Sequence, residues 1–151
     1  MQREPLISIV TPVYDTAPDV LAACIDSVRR QTYGKWQLCL VDDASPSEHV
    51  WPQLEAAMVS DRRILARRRH ENGGIVAASN DAIAMSTGDV VALLDHDDML
   101  HPNALRRVAS QFNDHPELDY LYSDEDLLDV NGNRVNPFLK PDWSPERFRT
   151  Q

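Results

Sequence analysis

An α/β fold with a mostly parallel, doubly wound central sheet flanked by helices is predicted by two observations. Short apolar runs alternate with stretches of helical periodicity as far as residue 126, the pattern of strands joined by crossover helices. Three of those runs end abruptly in acids: residues 36–41 run into Asp42-Asp43, residues 90–94 into Asp95-His96-Asp97-Asp98, and residues 118–122 into Ser123-Asp124-Glu125-Asp126. The clusters therefore fall where strands finish, and in open α/β sheets ligands bind outside that edge.

The elements follow in order. Residues 6–10 are a compact, β-branched run, and Pro12 in Thr11-Pro12-Val13-Tyr14-Asp15 removes a ladder donor and should end the first strand. From Pro18, the residues Val20, Leu21, Cys24, Ile25 and Val28 recur at helical spacing, with Asp19 early and Arg29-Arg30 late, as the helix dipole prefers. Gly34 closes that helix, and residues 36–41 form the second strand. Val50, Leu54, Ala57 and Met58 mark a second helix, capped by Ser47. A short third strand lies at Ile64-Leu65-Ala66, and a turn follows at Glu71-Asn72-Gly73-Gly74. The next helix begins near Ile75 with its N-terminal amides toward that turn, and Thr87-Gly88 ends it. Residues 90–94, apolar without interruption, read as a fourth strand buried on both faces in the middle of the sheet. Pro102 suits a first helical position, with Leu105, Val108 and Phe112 as the buried stripe. Residues 118–122 are expected as a fifth strand.

Residues 5–126 are thus expected to form one α/β domain, and 127–151 a different kind of segment. Asn131-Gly132 signals a hairpin, and Pro137, Pro141 and Pro145 interleave with Phe138, Trp143 and Phe148 in an extended arm.

Composition narrows the class. Fifteen Lys+Arg against 24 Asp+Glu give a net charge of -9, which argues against coating nucleic acid or an anionic membrane. An anionic ligand would need a local cation. Two cysteines, Cys24 and Cys39, make no disulfide framework and fit a reducing compartment as buried small hydrophobes. No segment approaches the ~20 apolar residues of a spanning helix, and no apolar signal region follows Met1. The expected location is cytoplasmic, with any peripheral association at the inner membrane face made through regions outside this chain.

Asp95, Asp97 and Asp98 are the sharpest chemical signal. Carboxylates packed behind a buried strand repel one another unless a cation sits among them, and Mg²⁺ or Mn²⁺ takes one or two carboxylates plus phosphate oxygens. The plainer reading is a solvated turn, which Asp also favours. His96 alternates away from its neighbours and suits a supporting role. Asp43 could accept from a base N–H while Tyr14 offers an aromatic face to that base, or the two could be a turn cap and a packed rim aromatic. The Gly73-Gly74 turn could cradle a ligand and the Arg67-Arg68-Arg69 run could contact phosphate, but the favoured readings are a simple turn and a solvated face. Asp124, Glu125 and Asp126 either line an acceptor site or cap a loop.

The chain also resembles a known family. Ile9-Val10-Thr11-Pro12-Val13-Tyr14, Ser27-Val28 with Gln31-Thr32-Tyr33, Val41-Asp42-Asp43-Ala44-Ser45, Asn72-Gly73-Gly74 with Ala78-Ser79-Asn80, Thr87-Gly88-Asp89 and Leu94-Asp95-His96-Asp97-Asp98 look like the nucleotide-binding part of the inverting family 2 glycosyltransferases, in family order. Tyr122-Ser123-Asp124-Glu125-Asp126 and the run from Phe138 to Pro145 resemble bacterial members that build O-antigen or capsule. The resemblance implies a Rossmann-like GT-A fold and a nucleotide diphosphate sugar donor, UDP- or dTDP-linked, with a saccharide or lipid-linked acceptor. It implies that Thr11, Pro12 and Tyr14 line the nucleoside pocket and that Asp43 binds the base. Asn80 would lie near the donor, Asp95 and Asp97 would contact ribose, sugar or metal, and Asp98 would be the chief ligand of Mn²⁺ or Mg²⁺.

The family's catalytic base belongs to a later Glu-Asp type motif, often followed by Gln-x-x-Arg-Trp, and neither occurs before Gln151. The chain therefore resembles a truncated enzyme or fragment that turns over poorly alone. Rival readings are a noncatalytic nucleotide-sugar sensor and a Mg²⁺-dependent phospho-receiver. The receiver should carry a Lys after its last strand, where acids follow Tyr122. A dehalogenase-like phosphatase places its Asp-x-Asp after the first strand, not the fourth. Dinucleotide binding is disfavoured, since no G-x-G-x-x-G follows strand one.

Overall fold

A computed structural model describes residues 4–146, which divide between Glu117 and Leu118 into two compact units. Phe148, assigned above to the arm, lies outside the described residues.

The first unit is built on a parallel sheet of order β3-β2-β1-β4, from β1 (Ile7–Val13), β2 (Trp36–Asp42), β3 (Ile64–Arg68) and β4 (Val90–Leu93). Crossover helices α1 (Pro18–Arg29), α2 (Val50–Ser60) and α3 (Gly74–Met85) connect them, and α4 (Ala104–Asp114) follows β4. Strand alternation separates the two faces. Ile7, Ile9, Leu38, Leu40 and Ile64 pack with Leu21, Ile25 and Val28 of α1, Leu54 of α2 and Leu105 of α4. Val10, Cys39 and Val41 point the other way, against Ala78 and Ala82 of α3. Both cysteines are free and buried in these cores, as expected.

Pro12 does not end β1. The strand continues to Val13, with Pro12 opposite Val41 of β2. Val13 O accepts from Asp43 N on the β2 side, whereas Val10 O accepts from Leu94 N on the β4 side. Pro12, two residues past Val10, therefore turns its missing N–H toward β4, which has already finished at Leu93.

β4 is likewise not a central strand. It is the edge of the described sheet: Val90 and Ala92 pack on the larger core, while Val91 and Leu93 on the other face are 43% and 77% exposed. An unbroken apolar run cannot distinguish a strand covered on both faces from one covered on one.

Ser47 does not cap α2 through its side chain. The N-cap is His49, without a side-chain capping bond, and Ser47 Oγ instead donates to Asp15 Oδ1.

Two buried polar positions explain the close contact between β1 and the turn before β4. Gln37 Oε1 accepts from Ser8 Oγ, Thr87 N and Thr87 Oγ1 at 2.7–2.9 Å, and Gly88 N donates to Ser8 Oγ at 2.8 Å. A Cβ at Gly88 would stand 2.6 Å from Leu6 O and 2.9 Å from Ser8 N, so only glycine fits.

In the second unit, residues 118–122 form no strand. Tyr120 and Tyr122 instead gather on Trp143, with ring centroids 5.5 and 6.3 Å away, and Tyr122 Oη donates to Pro141 O at 2.6 Å. Ring packing rather than backbone pairing uses this apolar run. The expected hairpin is present: β5 (Glu125–Leu128) and β6 (Arg134–Phe138) pair antiparallel around Asn131-Gly132. Hydrogen bonds from Asn133 and Asn131 hold the Asp129 carboxyl below the usual carboxylate range.

Candidate functional site

Because β1, β2 and β4 run parallel, the segments that leave them share one edge of the sheet. Val13 is paired with Asp42 and Val10 with Leu93, so Thr11, Pro12, Tyr14, Asp43 and the acidic stretch from Asp95 are brought to that edge. Thr11 is fully buried, and its hydroxyl has no hydrogen-bond partner among the described residues. Tyr14 is 48% exposed, leaving a ring face open.

Asp43 is the most constrained of these residues. Its Oδ1 accepts from Gly73 N at 2.9 Å and its Oδ2 from Gly74 N at 2.8 Å. The carboxylate therefore caps α3 from another element, and an anion there is favoured by the helix dipole. Arg69 Nε lies 2.9 Å from Oδ1, but no hydrogen bond is formed at that nitrogen, so the contact is an ion pair without linear alignment. Arg69 Nη1 also meets Asp81 of α3. Gly73 is needed for this arrangement: a Cβ there would stand 2.6 Å from Arg69 Nη2 and 2.8 Å from Ala77 Cβ. The Gly73-Gly74 amides thus serve the chain's own carboxylate.

Its neighbour Asp42 is wholly buried, accepts from Ser45 N through Oδ1 at 2.9 Å, and pairs with Arg68 at 3.2 Å. Two of the three arginines in the basic run are therefore committed to the acids at the end of β2. The loops after β1 and β2 are stitched together as well. Asp15 N donates to Ser45 Oγ at 2.9 Å, and His49 Nε2 contacts Thr16 O at 2.8 Å. Asp15 and Ala44 hold positive φ, at 49° and 57°, a conformation L-residues keep only where surrounding bonds enforce it. Tyr14 and Asp43 are the residues immediately before these two.

The acidic stretch is differently built. Asp95, Asp97 and Asp98 are exposed and His96 half-buried, matching the alternation read from the sequence. Asp98 N donates to Asp95 O at 3.1 Å, closing a turn. Beneath it, Cys24 Sγ donates to Asp95 O at 3.6 Å. Burial first, then the carboxylates of Asp98, Asp97 and Asp95, push the Cys24 thiol up to about 12, so it remains a neutral donor. Among the described residues no three carboxylate, imidazole or thiol groups converge as a metal cage. The oxygen donors of Asp95, Asp97 and Asp98 nonetheless suit a hard cation, which needs only one or two of them when phosphate supplies the rest. Asn80 stands apart, exposed on α3 away from the buried Ala78 and Ala82.

The glycosyl transferase family 2 profile matches residues 8–132. The chain belongs to that family. It is 43% identical over 150 residues to the O-antigen biosynthesis protein RfbC of Myxococcus xanthus, covering 99% of this chain and 12% of that protein. The chain thus spans a small part of the length of such relatives. Among solved structures, TarS 1-349 of S. aureus in complex with UDP-GlcNAc superposes with a TM-score of 0.66 at 20% identity, over 73% of this chain and 32% of that one. The mannosyltransferase PcManGT from Pyrobaculum calidifontis, in complex with GDP-Man and Mn²⁺, gives 0.63 at 22% identity, over 74% and 32%. The glycosyltransferase domain accordingly has the GT-A fold. No helix among the described residues is long and apolar enough to cross a membrane.

Sequence reasoning found the acids and Tyr14, and met Arg69 and Ser45 only within a basic run and a motif; Asp81 and the contacts of all three, which span 12 to 30 residues, it did not find.

Proposed function

We propose that this domain binds a nucleoside diphosphate sugar, UDP- or dTDP-linked, for inverting transfer to a saccharide or lipid-linked hydroxyl. The setting we propose is bacterial surface-polysaccharide synthesis at the cytoplasmic face. The observation that carries this reading is the arrival of Tyr14, Asp43 and the Asp95 to Asp98 stretch at one sheet edge.

Tyr14 stacks on the base and Thr11 and Pro12 line its pocket. Asp43 accepts one amide bond on each oxygen, from Gly73 and Gly74, with Arg69 as an ion-pair partner beside Oδ1, and a carboxylate oxygen can accept more than one bond, which leaves room on Oδ2 for a base N–H. Asn80 contacts the donor from α3. Asp98, with Asp97 and Asp95, faces the diphosphate and would hold Mn²⁺ or Mg²⁺. Such an ion, when bound, offsets charge on the departing diphosphate. The base that deprotonates the acceptor is assigned to no residue of this chain.

Amide chemical-shift mapping with UDP and Mg²⁺ tests the placement. Changes confined to residues 11–15, 43–45, 95–98 and the surroundings of Asn80 support it. Changes elsewhere, or none at millimolar nucleotide, refute it.

A further inference from the structure

Between β4 and α4, residues 94–103 belong to no helix or strand, yet α1 holds their backbone at successive points. Cys24 Sγ donates to Asp95 O at 3.6 Å, and Ser27 Oγ accepts from Leu100 N at 3.1 Å. Gln31 Nε2 donates to His101 O at 2.8 Å, while Gln31 Oε1 accepts from Leu105 N at 3.0 Å. Just beyond the helix, Thr32 N donates to Pro102 O at 2.9 Å. Cys24 and Ser27 lie along one stripe of α1, Gln31 follows just past the end of that helix, and all three side chains are buried. Within the segment itself, the backbone bonds seen among the described residues are those of the Asp95 turn and the start of α4 at Ala104. The path of the acidic stretch is therefore imposed from α1.

We infer that Ser27 and Gln31, assisted by Cys24, are positioning residues that set the geometry of Asp95, Asp97 and Asp98 toward a cation and a diphosphate. This rests on the donor-site reading above. Gln31 suits the task because it uses both ends of its amide: from just beyond α1, Nε2 also donates back to Ser27 O of that helix at 3.1 Å. A leucine would leave Leu105 N and His101 O unanswered in a buried place, and a glutamate would lack the donors. Ser27 is fixed in turn by donation to Cys24 O at 2.7 Å, so its lone pair faces Leu100 N.

The test compares Mn²⁺-dependent UDP binding in the parent chain, Asp98→Ala, Ser27→Ala, Gln31→Leu and Ser8→Ala. Ser8→Ala breaks the buried Gln37 network and serves as a control for stability loss away from the acidic stretch. Ser27→Ala and Gln31→Leu should weaken Mn²⁺ binding in the presence of UDP roughly 10- to 100-fold, as lost orienting partners do. Their affinity for UDP without metal should stay at the parent value, and Ser8→Ala should change neither. Ser27→Ala should also speed hydrogen exchange at the Leu100 amide, a readout that survives if Gln31→Leu fails to fold. If folded Ser27→Ala and Gln31→Leu bind Mn²⁺ with UDP as the parent does, the inference is overturned. Equal losses in Ser8→Ala overturn it too. A parent chain without metal-dependent binding would instead defeat the donor-site reading, and the inference with it.

Discussion

Replacing Asp43 by alanine removes the acceptor of Gly73 N and Gly74 N and an ion-pair partner of the Arg69 guanidinium. Two amide bonds to a carboxylate contribute about 1.5 kcal/mol each, or about 3 kcal/mol together. The Arg69 side chain is 21% exposed and keeps Asp81 as a partner, so its loss adds only about 1 kcal/mol. The total, about 4 kcal/mol, falls within the ~3–5 kcal/mol expected when one partner of a buried pair is deleted. Urea unfolding monitored by circular dichroism should show that loss in Asp43→Ala. Asp81→Ala, whose side chain is 31% exposed, should lose no more than about 1 kcal/mol. Exchange at the Gly73 and Gly74 amides should accelerate in the first variant only. A cost below about 1 kcal/mol for Asp43→Ala, within the range of an exposed pair, would refute the idea that this carboxylate caps α3.

Gly88→Ala should destabilise by about 1–3 kcal/mol in urea, because its Cβ meets backbone atoms, whereas Gly34→Ala meets nothing within 4 Å and should be tolerated. Tyr14→Ala should weaken UDP binding roughly tenfold, the scale of one lost base–aromatic stack, without lowering the urea midpoint, since the ring is half exposed. The Asp61 carboxyl is held below its ordinary 3.8 chiefly by hydrogen bonding from Arg63. Its stabilisation is therefore present above the unfolded value and lost as pH falls through the depressed folded value. Asp61→Asn should flatten that acid limb in a pH series of melting temperatures.

The strands and helices of the first unit were legible because each pairs a clear apolar period with a stop signal, as in Pro18 to Arg30 or residues 36–41. The exposure of Val91 and Leu93 was not, since coverage depends on what lies beside β4 rather than on β4 itself. Pro12 misled for a related reason: a proline ends pairing only on the side its nitrogen faces, and that side is set by the neighbour's length. Residues 118–122 have strand composition but find aromatic partners instead of a ladder. At the site, acids after strands were visible locally. The contacts that orient them, from Arg69 to Asp43 or from Gln31 to His101, cross between elements and leave no local pattern. The Ser27 and Gln31 positions were visible only as part of a family resemblance.

Calorimetric titration of UDP into this chain, with and without Mn²⁺ and repeated on Asp98→Ala, tests most directly whether one sheet edge holds both base and diphosphate. Binding should tighten with Mn²⁺ in the parent chain, and Asp98→Ala should fall to the metal-free level. Equal binding with and without metal in both proteins, or no binding of UDP at all, would contradict it.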